Sequence, residues 1–536
     1  VTRLLAIDVG TRAARAGLFD AGGALLATAS AGFALHRPHE HHAVYRMDEI
    51  WHAVCRAVRE VRAATGHAPV AAMAFDATSS LALTAEGAPP LDGEADVLCW
   101  MDHRGEAEAD EIAASGDRYL HYVGGTLSPE MHLPKLLWLR RHRPDAWARL
   151  RAVRDLCDEL ATRATGTARH SVCGLACKFP YLPSDAQPWR HALLDRLGLA
   201  ALPTLGALSQ RPGRVGERHG TVCARAAAEL DLPQGVPVAI GLIDAEAGAL
   251  GVLGHGYAAA MNRTITLIGG TSTSYMSWAA EERRIPGVWG PFRDAVFPGV
   301  WMHEAGQSLS GAALDALLDN HPGGPREVSA AGHADAARDI LALLDAEGPG
   351  FAARRHLVPD WLGNRSPLGD GCMRALMTGL GEDHTRRAFL EQYYATARAL
   401  ALQSRHIIDH LNRHGYAIDR CALAGGHLRN PLLMRLYRDA LGVQAVVSDA
   451  PEPVLLGTAM VAAVTAGVAD TLLAALEAMA PRQTALPADP CWRAAHDAAY
   501  RIYLRLFDVR NEIERQSRAP AFPSTNAFPL LSPGDA

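Results

Sequence analysis

Apolar runs that stop at an acidic residue recur along this chain. LLAIDVG (residues 4–10), PVAAMAFD (69–76), ADVLCWMD (95–102) and VPVAIGLID (236–244) each read as a buried strand with an Asp in its last turns. Around the first of them the pattern is strand, turn, strand. AARAGLFD follows directly, DAGG (20–23) supplies a hairpin turn, and ALLATASAGF is a third strand. At residues 47–64 the period changes. Ile50, Val54, Val58 and Val61 fall on one helical face, and Asp48 and Glu49 occupy the first turn, where acids suit the helix dipole. Helical patterns fill much of 104–165, and the fourth strand runs into a small-residue helix, AEAGALGVL.

Near residue 263 the opening pattern begins again: TITLIGGTSTSYMSW reads strand, Gly-Gly-Thr turn, strand. A helix over 306–319, a long helix over 384–413 and a strand CALAGG (421–426) follow. Next come a helix opening near Asn430, a strand VQAVVS and a helix from Glu452–Pro453. This duplication predicts an α/β protein of two domains, 1–262 and 263–484. A C-terminal amphipathic helix is expected within 485–515, and a flexible Pro- and Ser-rich tail over 516–536.

Composition narrows the partners. The formal charge is −6 with no basic run, which argues against nucleic acid or an anionic membrane surface. No run of 18 apolar residues escapes charge, Gly or Pro, so no membrane span is expected. RLLAIDVG is too short and too acidic at its end for a signal peptide. Nine cysteines lie singly without a CxxC pair, which suits reduced thiols in the cytoplasm. HRPHEHH (36–42) has the look of a metal cluster but no acid or cysteine at regular spacing, so it is read as a loop. Of 52 basic residues only Lys135 and Lys178 are lysine. A compact ammonium can aim at one oxygen where an arginine fork cannot, which draws attention to both.

The strand–turn–strand around DVGT suits phosphate. Gly10 lets the backbone approach, Thr11 offers a hydroxyl and an N–H, Arg15 can offer paired donors, and Asp8 could hold a magnesium ion through water. GGTSTS (269–274) could take the other side of a nucleotide triphosphate across a cleft, and AGGHLRN supplies a turn against which adenine could lie. There is no GxxxxGK[ST], so a P-loop is excluded. Asp244, at a strand end that begins a helix, is a rigidly held carboxylate suited to general-base work or to an N-cap.

Together these stretches resemble the FGGY carbohydrate kinases of the actin–hexokinase–chaperone ATPase superfamily, over about residues 3–480. The resemblance is carried by FDATSSL (75–81), LCWMDHR (98–104), GGTLSPEMHLPKLLWL (124–139), GLIDAEAGALG (241–251), GGTSTSYM (269–276), PGVWGPF (286–292), PGVWMHEAGQSLSGAALD (298–315), PDWLGNRSPLGD (359–370) and AGGHLRNPLLMRLYRDALG (424–442). Within the family it is most similar to D-ribulokinase-like pentulose kinases. The resemblance implies two RNase H-like domains with an active cleft between them, and MgATP-dependent phosphorylation of a ketopentose, commonly by a homodimer. It implies Asp244 as general base, with Asp8 and Asp244 near the Mg2+. Nucleotide contacts are implied for Asp8, Gly10, Thr11 and Arg15, for Gly270, Thr271 and Ser272, and for Gly425, Gly426, Asn430 and Gln307. Sugar contacts are implied for Lys178, Glu304, Ser79 and Asp102. Lys135 is expected to pack or pair on a helix.

Departures from the family pattern fall at Arg12, Ala13, Ser79, Glu246 and His303. They bear on which sugar is used: D-ribulose, or L-ribulose, D-xylulose or a tetrulose. They also motivate a second reading, a sugar-binding regulator with a decayed ATPase site. Glu246, two residues from Asp244, would raise that base's pKa if both faced inward, but along a helix the two should point apart.

Overall fold

The computed structural model describes residues 2–208 and 210–518. Two mixed sheets form its two centres. In the first, the spatial order is Leu25–Gly32, Ala13–Asp20, Arg3–Val9, Ala72–Ala77, Pro237–Ala239 and Arg218–Thr221, with the short strand Leu242–Ile243 also paired to Ala72–Ala77. In the second it is Trp289–Arg293, Trp301–Gln307, Thr273–Ala279, Thr264–Gly269, Arg420–Gly425, Gln444–Ser448 and Gln483–Leu486. Each has the same kernel: three adjacent antiparallel strands, with two strands parallel to the first on its other side, and in the second sheet Trp289–Arg293 is added at the edge. The central strands are buried along almost their whole length, as their apolar runs require.

The sequence-predicted elements appear with some shifts. The helix Met47–Ala64 buries Ile50, Val54, Val58 and Val61 as expected. VPVAIGLID breaks into two short strands at Gly241, where any side chain would strike the Phe75 carbonyl oxygen. The expected helix over 306–319 begins only at Gly311, because Trp301–Gln307 is a strand. The region 104–165 contains a strand, Leu150–Asp155. ADVLCWMD supplies only Val97–Leu98, in a small separate sheet. The terminal helix, Pro490–Arg518, outlasts the expected limit of 515; the rest of the expected tail lies outside the described residues.

The second sheet begins with Thr264–Gly269, but the later segment does not stay with it. After Gln444–Ser448 the chain crosses back. The helix Pro453–Thr465 and the helix Leu472–Met479 join the core of the first sheet, beside Leu4, Ala6 and Ala74, before Gln483–Leu486 returns to the second. The first domain is therefore discontinuous. The helix Asp244–Leu250 and the helix Pro453–Thr465 cross so closely that two glycines are required. A methyl at Gly251 would stand 1.8 Å from the Pro453 carbonyl oxygen, and one at Gly457 would stand 2.0 Å from that of Ala247.

Gly457→Ala is expected to lower stability by about 1–3 kcal/mol through overpacking at this crossing. Gly381→Ala, with open space around it, should change little. Thermal and denaturant unfolding of the two variants measures the difference.

Candidate active site

Three strands of the first sheet end side by side in acids. The register sets Asp8 beside Asp76 and Leu242 beside Asp76, so Asp244 emerges from the third strand next to the other two. Arg15 Nε donates to Asp8 Oδ2 at 2.5 Å, and its Nη1 to Glu452 at 3.1 Å. The Thr458 hydroxyl donates to Asp76 Oδ2. The other oxygens, Asp8 Oδ1 and Asp76 Oδ1, are buried without a partner among the described residues. Burial and the adjacent Asp8 push the Asp76 carboxyl well above the carboxylate range. Burial, then Asp8, raise Asp244 to about 7.

Asp244 borders a polar cavity of about 180 Å³ between the two sheets. The first domain contributes Thr11, Thr78, Ser79, Trp100, Glu130 and Lys178; the second contributes Ser272, Ser274, Trp289, Glu304 and Arg365. The Lys178 ammonium lies 4.8 Å from the Trp289 ring centre, and the Arg365 guanidinium 5.2 Å from the same ring. Arg365 Nη2 donates to Glu130 at 2.8 Å, an ion pair across the two domains. Burial opposes the charge on Lys178, but Glu304 and Glu130 more than offset it and its pKa rises. Thr11 is braced from two sides: Trp100 Nε1 donates to its hydroxyl at 3.1 Å and the Tyr45 hydroxyl to its carbonyl at 2.9 Å.

A second cavity, about 600 Å³, lies on the far side of the 269–274 turn. Gly270, Thr271, Asp315, His333, Gly426, His427 and Asn430 help to line it. The same turn gives Ser272 and Ser274 to the small cavity, so it separates the two. His427 joins the turn to the following helix, with one ring nitrogen 3.0 Å from the Gly270 carbonyl oxygen and the other 2.9 Å from the Tyr437 hydroxyl. Gly425 holds φ +87°, and a side chain there would strike the Gly269 carbonyl. Asn430 caps the helix Pro431–Ala440 through Leu432 N and Leu433 N.

Residues 3–251 match the N-terminal domain, and residues 265–466 the C-terminal domain, of the FGGY family of carbohydrate kinases. The chain belongs to this family. Among FGGY relatives, an FGGY carbohydrate kinase domain-containing protein of Danio rerio is 33% identical over 94% of this chain and 97% of its own length. A D-ribulokinase of Saccharomyces cerevisiae is 31% identical over 82% of this chain and 68% of its own. The ligand-bound xylulose kinase of Lactobacillus acidophilus has the same two-domain fold, with a TM-score of 0.80 and 17% identity over 96% of this chain and 99% of that one. The protein is a sugar kinase with the α/β architecture of the FGGY and actin–hexokinase group.

Several residues expected at the FGGY site lie elsewhere. Asp102 does not line the cavity: it takes two hydrogen bonds from the Arg104 side chain, at 2.7 and 2.8 Å, and one from Ala43 N at 2.6 Å. Gln307 faces away from both cavities and donates to Leu400 O and Gln403 Oε1. His303 is buried between Tyr416 and the Arg283 carbonyl. One rule covers these last two. Glu304 faces the small cavity, and side chains alternate along a strand, so positions 303 and 307 must face the other way. Ser79 does reach the cavity, yet its hydroxyl donates to Asp155 Oδ2 at 2.6 Å. Arg12 is exposed. Lys135 is buried, and its ammonium binds the carbonyls of Cys99 and Trp100 at 2.8 and 2.9 Å, a packing and pairing role. Glu246 is buried and does not line the small cavity; burial, then Glu304, raise its pKa, with a smaller push from Asp244. Sequence reasoning missed Asp76, Glu130 and Arg365, although each lies in a stretch that carries the family resemblance.

Asp102→Asn breaks a buried ion pair and should cost about 3–5 kcal/mol of stability. If Asp102 serves only the fold, the sugar KM of the folded variant stays within about twofold of wild type, because conserved cavity geometry leaves substrate binding unchanged. Unfolding and steady-state kinetics on one preparation check both.

Proposed function

We propose that this kinase transfers the γ-phosphoryl group of ATP to the terminal primary hydroxyl of a ketopentose, with D-ribulose giving D-ribulose 5-phosphate as the leading reaction. The observation that carries this reading is the wall shared by the two cavities. A sugar-sized space containing Asp244 and Lys178 and a larger space lined by the Gly-rich turns meet at the 269–274 turn. A hydroxyl held on one side and a triphosphate reaching around from the other would come together beside Asp244. The S. cerevisiae D-ribulokinase and the ribulokinases among the relatives support a pentulose as acceptor.

In this mechanism the Asp244 carboxylate takes the proton of the attacking hydroxyl. The hydroxyl oxygen forms its bond to the γ-phosphorus as the bond from phosphorus to the bridging oxygen breaks, and ADP leaves with that electron pair. Lys178 and Glu304 hold sugar hydroxyls as donor and acceptor. Thr11, Thr271 and Ser272 offer N–H and hydroxyl groups to the phosphates, Gly10 and Gly270, whose N–H groups close their turns on Ala13 O and Ser272 O, let the phosphates approach the backbone, and Gly425, Gly426 and Asn430 face the nucleoside. Arg15 serves the phosphates through Asp8, to which it is already paired. The acids fit a hydrated magnesium ion: Asp8 and Asp76 are adjacent buried carboxyls whose shared proton a cation would displace, Asp244 stands beside them, and an all-oxygen set suits a hard cation. When bound, the ion would offset charge on the transferring phosphoryl group. We infer a cytoplasmic setting from the nine free thiols.

A coupled ADP-release assay with MgATP over ketoses and polyols tests the reading. D-Ribulose should be the best acceptor, and Asp244→Ala should cut its turnover by about 10²–10⁴-fold. Preference for L-ribulose, D-xylulose or a tetrulose would move the substrate assignment but keep the base. Sugar binding without turnover of any acceptor would sink the kinase mechanism in favour of a regulator. Lys178→Met should raise the sugar KM by more than about tenfold, and Lys178→Arg should not restore it, because the planar fork does not fit the ammonium's place.

A further inference from the structure

The HRPHEHH stretch serves neither cavity. It folds into a turn in which the His42 N–H donates to the His39 carbonyl at 3.2 Å. The two imidazoles therefore emerge side by side, their ring centres 5.1 Å apart. Asp92, remote in sequence, faces them. One ligand-capable atom from each of His39, His42 and Asp92 lies within 4.8 Å of the other two. The carboxylate is already oriented: Asp92 Oδ1 accepts from Arg143 at 2.6 Å, and Oδ2 stands 3.6 Å from His39 Nε2. His42 is fixed edge-on against Trp138 at 5.7 Å, and its Nδ1 is shielded from solvent without a hydrogen-bond partner among the described residues.

We propose that His39, His42 and Asp92 form a surface site for a borderline transition-metal dication, zinc or its analogues cobalt and nickel. Two imidazoles and one carboxylate are the donor set such ions prefer, whereas magnesium and calcium favour oxygen alone. Three protein ligands leave a coordination position for water. The cations nearby are already paired, Arg143 with Asp92 and Arg104 with Asp102. The site closes the outer end of a segment whose inner end reaches the small cavity through Tyr45 on Thr11. Metal there would fasten that segment to the turn at Asp92.

Cobalt titration of the full chain in excess magnesium tests the site, with visible absorption as readout. One equivalent should bind with d–d bands and no thiolate-to-cobalt charge transfer in the near ultraviolet. His39→Ala, at an exposed position, and Asp92→Asn should each weaken binding by at least about tenfold while sugar-kinase turnover stays at the wild-type level. Arg143→Gln keeps every ligand and removes the competing cation, so binding should hold or tighten. Zinc should displace the cobalt. Stoichiometric binding that survives both His39→Ala and Asp92→Asn, a thiolate band pointing to the buried Cys173–Cys177–Glu246 group, or no saturable binding would each overturn the proposal.

Discussion

The close crossing of the helices Asp244–Leu250 and Pro453–Thr465 is the contact on which the active site depends. Backbone meets backbone there because Gly251 and Gly457 leave no side chain between them. The first helix begins at Asp244. The second sends the Thr458 hydroxyl to Asp76, and Glu452, just before it, holds Arg15, which in turn holds Asp8. A segment from late in the chain thus fixes all three acids at the ends of the first sheet's strands. Moving this helix by the width of a methyl group would disturb each of them.

The acids themselves are costly. Asp8, Asp76, Glu246 and Glu304 are buried and Asp244 is half-buried, while Lys178, Arg365 and Arg15 are the cations close to them. Carboxyls taken from water with too few counter-charges hold on to protons, which is why Asp76, Asp244 and Glu246 are all raised. A fold selected for stability alone would replace such groups with apolar ones. Asp244 and Glu304 line the small cavity and Asp8 and Asp76 adjoin Asp244, a concentration of acids that suits the proposed proton transfer.

Much of this was legible in the sequence. Apolar runs ending in acids located the central strands, and the repeat near residue 263 located the second sheet, because buried parallel strands leave a pattern that tertiary context cannot disguise. The residues Lys178, Glu304, Ser79 and Asp244 do meet at one cavity. Other features were hidden for definite reasons. Asp102 ends an apolar run like its neighbours, but the run forms only a two-residue strand and the carboxylate turns to Arg104. The alternation that faces Gln307 and His303 away from the cavity was obscured while 306 onward read as helix. The pairing of Arg365 with Glu130 joins positions 235 residues apart, and the crossing of the late helices into the first core brings Thr458 to Asp76 over 382. Such contacts leave no local periodicity.

The discontinuity of the first domain also sets an order on the chain's synthesis. A ribosome that has released residues 1–262 has delivered every strand of the first sheet but not Leu455, Met460, Leu476 or Met479, which complete its core. Until the chain has grown past residue 479 that face of the sheet has no native cover, and it must stay shielded by the nascent chain itself or by a chaperone. The first half therefore reaches its final packing only after the segment 453–479 has been made.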